Sequence, residues 1–246
     1  MSTPVVTPVS VRAALAQLAG VQKTNKGAPA YSRLVNRPLG RLFAAIAFVL
    51  GRTPNQVTML SASFTFGAIA LIALVPPTSS MAVITCALLV LGYALDAADG
   101  QLARLRGGGS VAGEWLDHVV DAIKIATLHL AVVISWYRFH DSADHLLLIP
   151  LGYQVVSCVL FFVIILNDQL RRAHRGTTDM LLAGAGSSST LYSLAVFPTD
   201  YGLLCVVFAL RSWEHGFLWS YSALLVANAT FMMLALVKWY REMRTY

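Results

Sequence analysis

Apolar residues in this chain of 246 gather into long blocks, separated by short runs that carry glycine, proline or charge. A helix needs about 20 largely apolar residues, at ~1.5 Å of rise each, to cross a bilayer. Six blocks meet or approach that length: residues 57–75, 81–95, 123–137, 146–166, 191–210 and 217–239. The second and third are short by themselves. They reach spanning length only if their helices run on through the adjoining sequences LDAADGQLAR (95–104) and GEWLDHVVDAIK (113–124). The pattern predicts an all-α, polytopic membrane protein with six transmembrane helices.

Upstream, residues 9–18 read as a short helix, followed by the loose run KTNKGAP. Between residues 31 and 51, Arg33, Arg37 and Arg41 recur every four positions, opposite an apolar face with Leu42, Phe43, Ile46 and Leu50. This predicts an amino-terminal interfacial amphipathic helix with its arginines toward anionic headgroups. The stripe serves either as a positive-inside anchor or as part of a substrate pocket. RTPNQVT then opens the first span, with Thr53 placed as N-cap and Pro54 at the first helical position. Two regions result: a cytoplasmic amino-terminal region, 1–52, and a six-helix membrane domain, 53–246.

Composition strengthens the membrane reading. Only 12% of residues are charged, against about 25% in a typical soluble domain, and mean hydropathy is +0.65. The formal charge of +6 is spread over the polar runs between blocks, which argues against a nucleic-acid partner. Fifteen of the 18 Lys and Arg fall on one side of the predicted layout. Arg138 and Arg211 fall on the other, and Lys124 lies inside the third block. Positive residues accumulate on the cytoplasmic side, so both termini and the aspartate-bearing turn are predicted there. Cys86, Cys158 and Cys205 sit in apolar stretches and read as small filler, not as a disulfide or a metal site. The first strongly apolar stretch, LFAAIAFVL, is short and begins past position 40, so no cleavable secretory signal is predicted.

The chemistry concentrates at four aspartates. Asp96 and Asp99 are three apart, with Ala103 and Arg104 continuing that side of a helix; Gly113, Asp117 and Asp121 follow at intervals of four on the next. Between them RLRGGGSVAG supplies three successive glycines for a sharp reversal, which folds the two stripes together. A charge within the membrane costs ~2.5–3.5 kcal/mol on insertion scales, so four are tolerable only when they face a protein cavity and are neutralised. An ion pair would explain one such aspartate. Four on two matched stripes, with bulk removed at Gly100, Ala103 and Gly113, point to metal ligation. All-oxygen ligands favour a hard cation, Mg²⁺ or Mn²⁺, and four carboxylates can share two ions. Asp141, Asp144, Asp168, Asp179 and Asp200 lack this pattern and read as loop or span-end solvation.

Asp96-x-x-Asp99-Gly100-x-x-Ala103-Arg104, eight residues, Gly113, three residues, Asp117, three residues, Asp121 resembles the signature of the CDP-alcohol phosphotransferases, with all eight fixed positions at that family's spacing. TPNQVT is similar to the opening of the family's first span, and the likeness covers residues 31–246. The resemblance implies transfer of a phosphoalcohol unit from a CDP-linked lipid, commonly CDP-diacylglycerol in bacterial members, to a hydroxyl acceptor with release of CMP. It implies that Asp96, Asp99 and Asp117 bind two divalent ions, with Asp121 as a further ligand and the general base. It assigns nucleotide and CDP-lipid contacts to Asn55, Gln56, Val57, Thr58, Gly100, Ala103, Arg104, Ser110 and Gly113. A homodimer in a bacterial plasma membrane is implied as well.

The acceptor is less legible. RGGGS followed by Gly113 is similar to the bacterial phosphatidylinositol-phosphate synthases, and RLVNRPLGRL with TPNQVT to archaeal di-inositol-phosphate enzymes. The arginine-rich motif that follows the fourth span in those synthases is replaced here by NDQLRRAHRGTTDMLLAGAGSSSTLYS. Arg171, Arg172 and Arg175 either bind an acceptor phosphate, as on inositol phosphate or glycerol 3-phosphate, or are positive-inside residues. Lys124 either reaches that phosphate or pairs with Asp121. His118 and His129 read as packing or polar contacts between helices. Intramembrane carboxylates also mark ion pathways, so a cation transporter is the competing class. Transporter sites usually lie at the midplane between repeats, whereas this cluster lies near one end and no internal repeat is evident. A non-catalytic scaffold is disfavoured by the intact motif.

Overall fold

A computed structural model of the chain describes residues 10–20, 29–140, 144–176 and 197–246. In chain order the helices are α1 (Val11–Gly20), a π-helical turn (Ser32–Asn36), α2 (Arg37–Val49), α3 (Pro54–Leu74), α4 (Ser79–Leu105), α5 (Val111–Phe139), α6 (Leu148–Arg175), α7 (Tyr201–Val207) and α8 (Glu214–Met243). Residues 23–28 of the run KTNKGAP, Asp141, Asp179 and most of the segment after α6 lie outside the described residues.

Local chemistry sets the boundaries near the aspartates. Thr53 and Gln56 form a reciprocal capping box at the start of α3: Gln56 N–H donates to Thr53 Oγ1 (3.3 Å) and Thr53 N–H to Gln56 Oε1 (3.1 Å). With Pro54 at the first helical position, this places the start of α3 where RTPNQVT predicts it. α4 and α5 do run on through the aspartate sequences, for 27 and 29 residues. They turn at Gly107 and Gly108, whose φ values of 93° and 137° suit residues without a Cβ. The Gly108 N–H closes α4 on the Ala103 carbonyl at 2.9 Å, and Ser110 caps α5 by accepting from Gly113 N–H at 3.0 Å.

The protein is all-α and polytopic, with five helices among the described residues long and apolar enough to cross a membrane. One of the six expected spans is described only in part. Within the predicted segment 191–210 only Tyr201–Leu210 is a described apolar helix, too short to span alone, and 191–196 lie outside the described residues. Large side chains such as Leu60, Val83, Leu130, Val155, Phe162 and Met233 stay exposed along the long helices. In water that would be a liability; in a bilayer it is the expected outer surface.

The amino-terminal helix also departs from a two-faced picture. α2 buries Gly40, Ala44, Ala45, Ala47 and Phe48 in a cluster shared with α1 (Ala14, Leu18), Val57 of α3, and Ala98, Leu102 and Leu105 of α4. Its small residues allow that close packing, which leaves Leu42 and Leu50 outside, 41% and 64% exposed. A second, larger cluster unites Ile72, Leu89, Leu128, Val132, Tyr153, Phe208 and Tyr221 from α3 to α8.

Charged residues tie the helix ends. Arg171 grips Glu242 through two bonds (2.8 and 2.7 Å), joining the ends of α6 and α8. Arg172 pairs with Asp168 (2.7 Å) and with Glu114 at the start of α5 (2.9 Å). At the opposite end Arg211 donates to the Ile72 and Val75 carbonyls (2.6 and 2.7 Å) and to Ser135 Oγ (2.9 Å), while Arg138 donates to the Ala73 carbonyl (3.2 Å). Asp168 and Asp200 therefore do not serve solvation. Both are buried, and Asp200 accepts from Ser32 N–H (2.7 Å) while capping α7 through Gly202 N–H (2.9 Å).

Candidate functional site

Three of the four aspartates converge. Asp96 on α4 and Asp117 and Asp121 on α5 each offer a carboxylate oxygen, all within 4.8 Å of one another. The helical spacing puts each pair on its stripe, and the glycine turn brings the stripes face to face. Asp99 stands one turn along α4, 7% exposed, and accepts a 2.6 Å hydrogen bond from the Thr58 hydroxyl of α3. Thr58 thus anchors a carboxylate.

Lys124 lies with these acids. It is 7% exposed; its ammonium contacts Asp121 and sits 3.6 Å from Asp96 Oδ1. Of its two expected roles, pairing with Asp121 is the one present. The Tyr201 ring lies beneath the ammonium at 5.3 Å, a partner the sequence did not reveal because α7 is far along the chain.

The other expected residues distribute around this centre. The start of α5 passes close to Asn55: a methyl group built on Gly113 would lie 3.1 Å from Asn55 Oδ1. Gln56 and Ser110 serve as caps, and Val57 is buried in the amino-terminal cluster. Gly100, Ala103 and Arg104 follow Asp99 on α4. Arg37 of α2 is near enough to Arg104 for their charges to oppose, and burial lowers the Arg37 guanidinium from its usual range. Gln101 donates to the Arg37 carbonyl at 3.2 Å, holding α2 against α4. Arg171 and Arg172 are buried in the ion pairs described above, while Arg175 is exposed. His118 lies 3.7 Å from Glu114. His129 bridges three helices, meeting Tyr221 Oη (2.5 Å) and Ser157 Oγ (2.9 Å), and stacks on Tyr153.

The residues fit a divalent ion. The donor set is entirely carboxylate oxygen, and two helices draw it together beside a protein cation. Hard Mg²⁺ or Mn²⁺ suits such ligands.

A family model described as CDP-alcohol phosphatidyltransferase matches residues 52–237. The chain belongs to that family. Phosphatidylinositol phosphate synthase of Corynebacterium glutamicum is 33% identical over 120 residues, 49% of this chain. The match spans 53%, about half, of that curated relative. Two crystal structures of Mycobacterium tuberculosis phosphatidylinositol phosphate synthase share the fold. The one with CDP-DAG bound superposes at a TM-score of 0.54, with 22% identity, over 84% of this chain and 94% of its own. The one in complex with manganese and citrate gives 0.54 and 20%, over 84% and 89%.

Proposed function

We propose that this protein is a divalent-metal-dependent CDP-alcohol phosphotransferase of phospholipid biosynthesis. It moves a phosphatidyl group from CDP-diacylglycerol to the hydroxyl of a small polyol or polyol phosphate and releases CMP. The observation that carries this is the convergence of Asp96, Asp117 and Asp121, from two helices, at the positions of the family signature. The named relatives support a CDP-linked lipid as donor and inositol phosphate ahead of glycerol 3-phosphate as acceptor.

In this reading Asp96, Asp99, Asp117 and Asp121 hold two ions, which supply charge neutralisation of the donor pyrophosphate and of the departing CMP. Thr58 keeps the Asp99 carboxylate in place. Arg104, with Arg37 beside it, meets a phosphate by charge-assisted hydrogen bonds. Asn55, Gly100, Ala103 and Gly113 border the nucleotide, and the capping done by Gln56 and Ser110, with the burial of Val57, fixes that border. Asp121 takes the proton from the acceptor hydroxyl as it attacks phosphorus. Arg175 is the arginine of its cluster left to meet an acceptor phosphate, since Arg171 and Arg172 are engaged in ion pairs.

The membrane layout follows the same reasoning. The end of α6 pairs with the end of α8, which requires the two helices to run in the same direction and α8 to start on the side opposite the end of α6. That requirement supports a sixth crossing, both termini on the side of the carboxylates, and a cytoplasmic site in a bacterial plasma membrane. The exposed Leu42 and Leu50 support an interfacial α2 that meets lipid with one face and protein with another. Residues 1–52 then form the amino-terminal region and 53–246 the catalytic domain, as a homodimer.

The test is purified protein with CDP-diacylglycerol and a panel of acceptors, reading CMP release and the lipid product by mass spectrometry. One acceptor should give a phosphatidyl product, with activity lost in EDTA and restored by Mg²⁺ or Mn²⁺. CMP release indifferent to EDTA would overturn the metal assignment.

A further inference from the structure

Beside the carboxylates stands a cation that the chain supplies itself. The Lys124 ammonium contacts Asp121 and lies 3.6 Å from Asp96, and both belong to the group of three whose oxygens lie within 4.8 Å of one another. We propose that Lys124 is an intramolecular counter-cation that competes with the divalent ion for the carboxylates of Asp96 and Asp121, so that metal loading requires its ammonium to move aside. The inference rests on the metal-site reading above.

The physical case is a conflict over the same oxygens. Three carboxylates so close repel one another unless a positive charge lies among them. The ammonium meets that need by touching one and approaching another. A Mg²⁺ ion demands ligand oxygens at ~2.0–2.1 Å, and it would then sit against a +1 charge already bound to those oxygens. Both cannot hold Asp121 and Asp96 fully. The lysine is equipped to yield: its four-carbon stem is flexible, so the ammonium can shift while α5 stays fixed. The face of Tyr201 already lies 5.3 Å from the ammonium, so a cation shifted off the carboxylates toward that ring keeps a favourable contact. The helical register makes this an intrinsic feature, because Lys124 follows Asp121 by three residues and shares its stripe. Metal affinity is therefore set by a difference between two cations, and by reciprocity the ion weakens the hold of Lys124 on the acids.

The experiment is Mn²⁺ binding to the purified full-length protein in detergent, without nucleotide, read by the electron paramagnetic resonance of free Mn²⁺. K124M should bind Mn²⁺ about tenfold more tightly than wild type, and K124R should stay within about threefold of wild type. Thermal melting gives a second readout: K124M should melt below wild type in EDTA, and Mn²⁺ should close the gap. A K124M protein stable in Mn²⁺ but unfolded on chelation also supports the proposal. Mn²⁺ affinity in K124M equal to or weaker than wild type overturns it, as does K124M unstable in Mn²⁺ and EDTA alike. D117N separates the two layers, because it should lose Mn²⁺ binding; if D117N binds as wild type does, the metal-site reading itself falls.

Discussion

At the level of single residues, the site divides its four acids by their partners. Asp96, Asp117 and Asp121 lie together with Lys124 nearby, whereas Asp99 is held by Thr58 at 2.6 Å. A general base contributes roughly 10²–10⁴-fold to rate, so if Asp121 has that proposed role D121N should lose CMP release by about that factor while the protein remains folded by circular dichroism. Unchanged release would remove Asp121 from the base role. Thr58→Val preserves shape but deletes the donor to a buried carboxylate, an interaction worth about 1.5–3 kcal/mol when the acceptor is charged. T58V should raise the metal concentration needed for half-maximal activity, and T58S should restore it. The acids and their spacing were legible in the sequence because three- and four-residue intervals alone decide which side chains share a helix face. The hold of Thr58 on Asp99 was not, since it depends on how α3 meets α4 across 41 residues.

Among the elements, helix ends are where distant parts of the chain meet. α3 ends with carbonyls that have no partner within their own helix, and Arg211 supplies bonds to Ile72 and Val75 from a position some 136–139 residues away. The sequence offered Arg211 only as one of two bases on the far side. Arg211→Met should leave those carbonyls and Ser135 short of a donor in the interior, costing roughly 2–4 kcal/mol. In detergent its Tm should fall by about 5 °C or more; a Tm within a degree of wild type would show that water replaces the guanidinium. The expected helix boundaries were readable where a cap or turn is local, as at Thr53, Pro54, Gly107 and Gly108. α2 shows the converse. Its arginine and leucine faces were visible in the periodicity, but its Gly/Ala face, which packs on α1 and α4, is marked by small size, and hydropathy patterns carry little of that.

For the whole molecule, the pairing of α6 and α8 at the carboxylate end sets the course of the chain. In the proposed layout an even number of crossings puts the termini on one side, and the site with them. In a background with Cys86, Cys158 and Cys205 replaced by Ala, Thr245→Cys should resist an impermeant thiol reagent in right-side-out vesicles, and Ser80→Cys should react. The reverse pattern would invert the orientation, and reaction at both would break the even count. The sequence by itself determined the helical membrane class, the two aspartate stripes and the turn that joins them. These follow from local spacing and from apolar length, which neighbouring residues fix without help from the rest of the chain. Only the tertiary structure decided that Lys124 rests among the acids above Tyr201, that Arg171 and Arg172 are engaged in ion pairs, and that Asp200 binds Ser32 across 168 residues. Those partners depend on the register and rotation of one helix against another, which the summed packing of many small and apolar side chains sets and no short stretch of sequence contains.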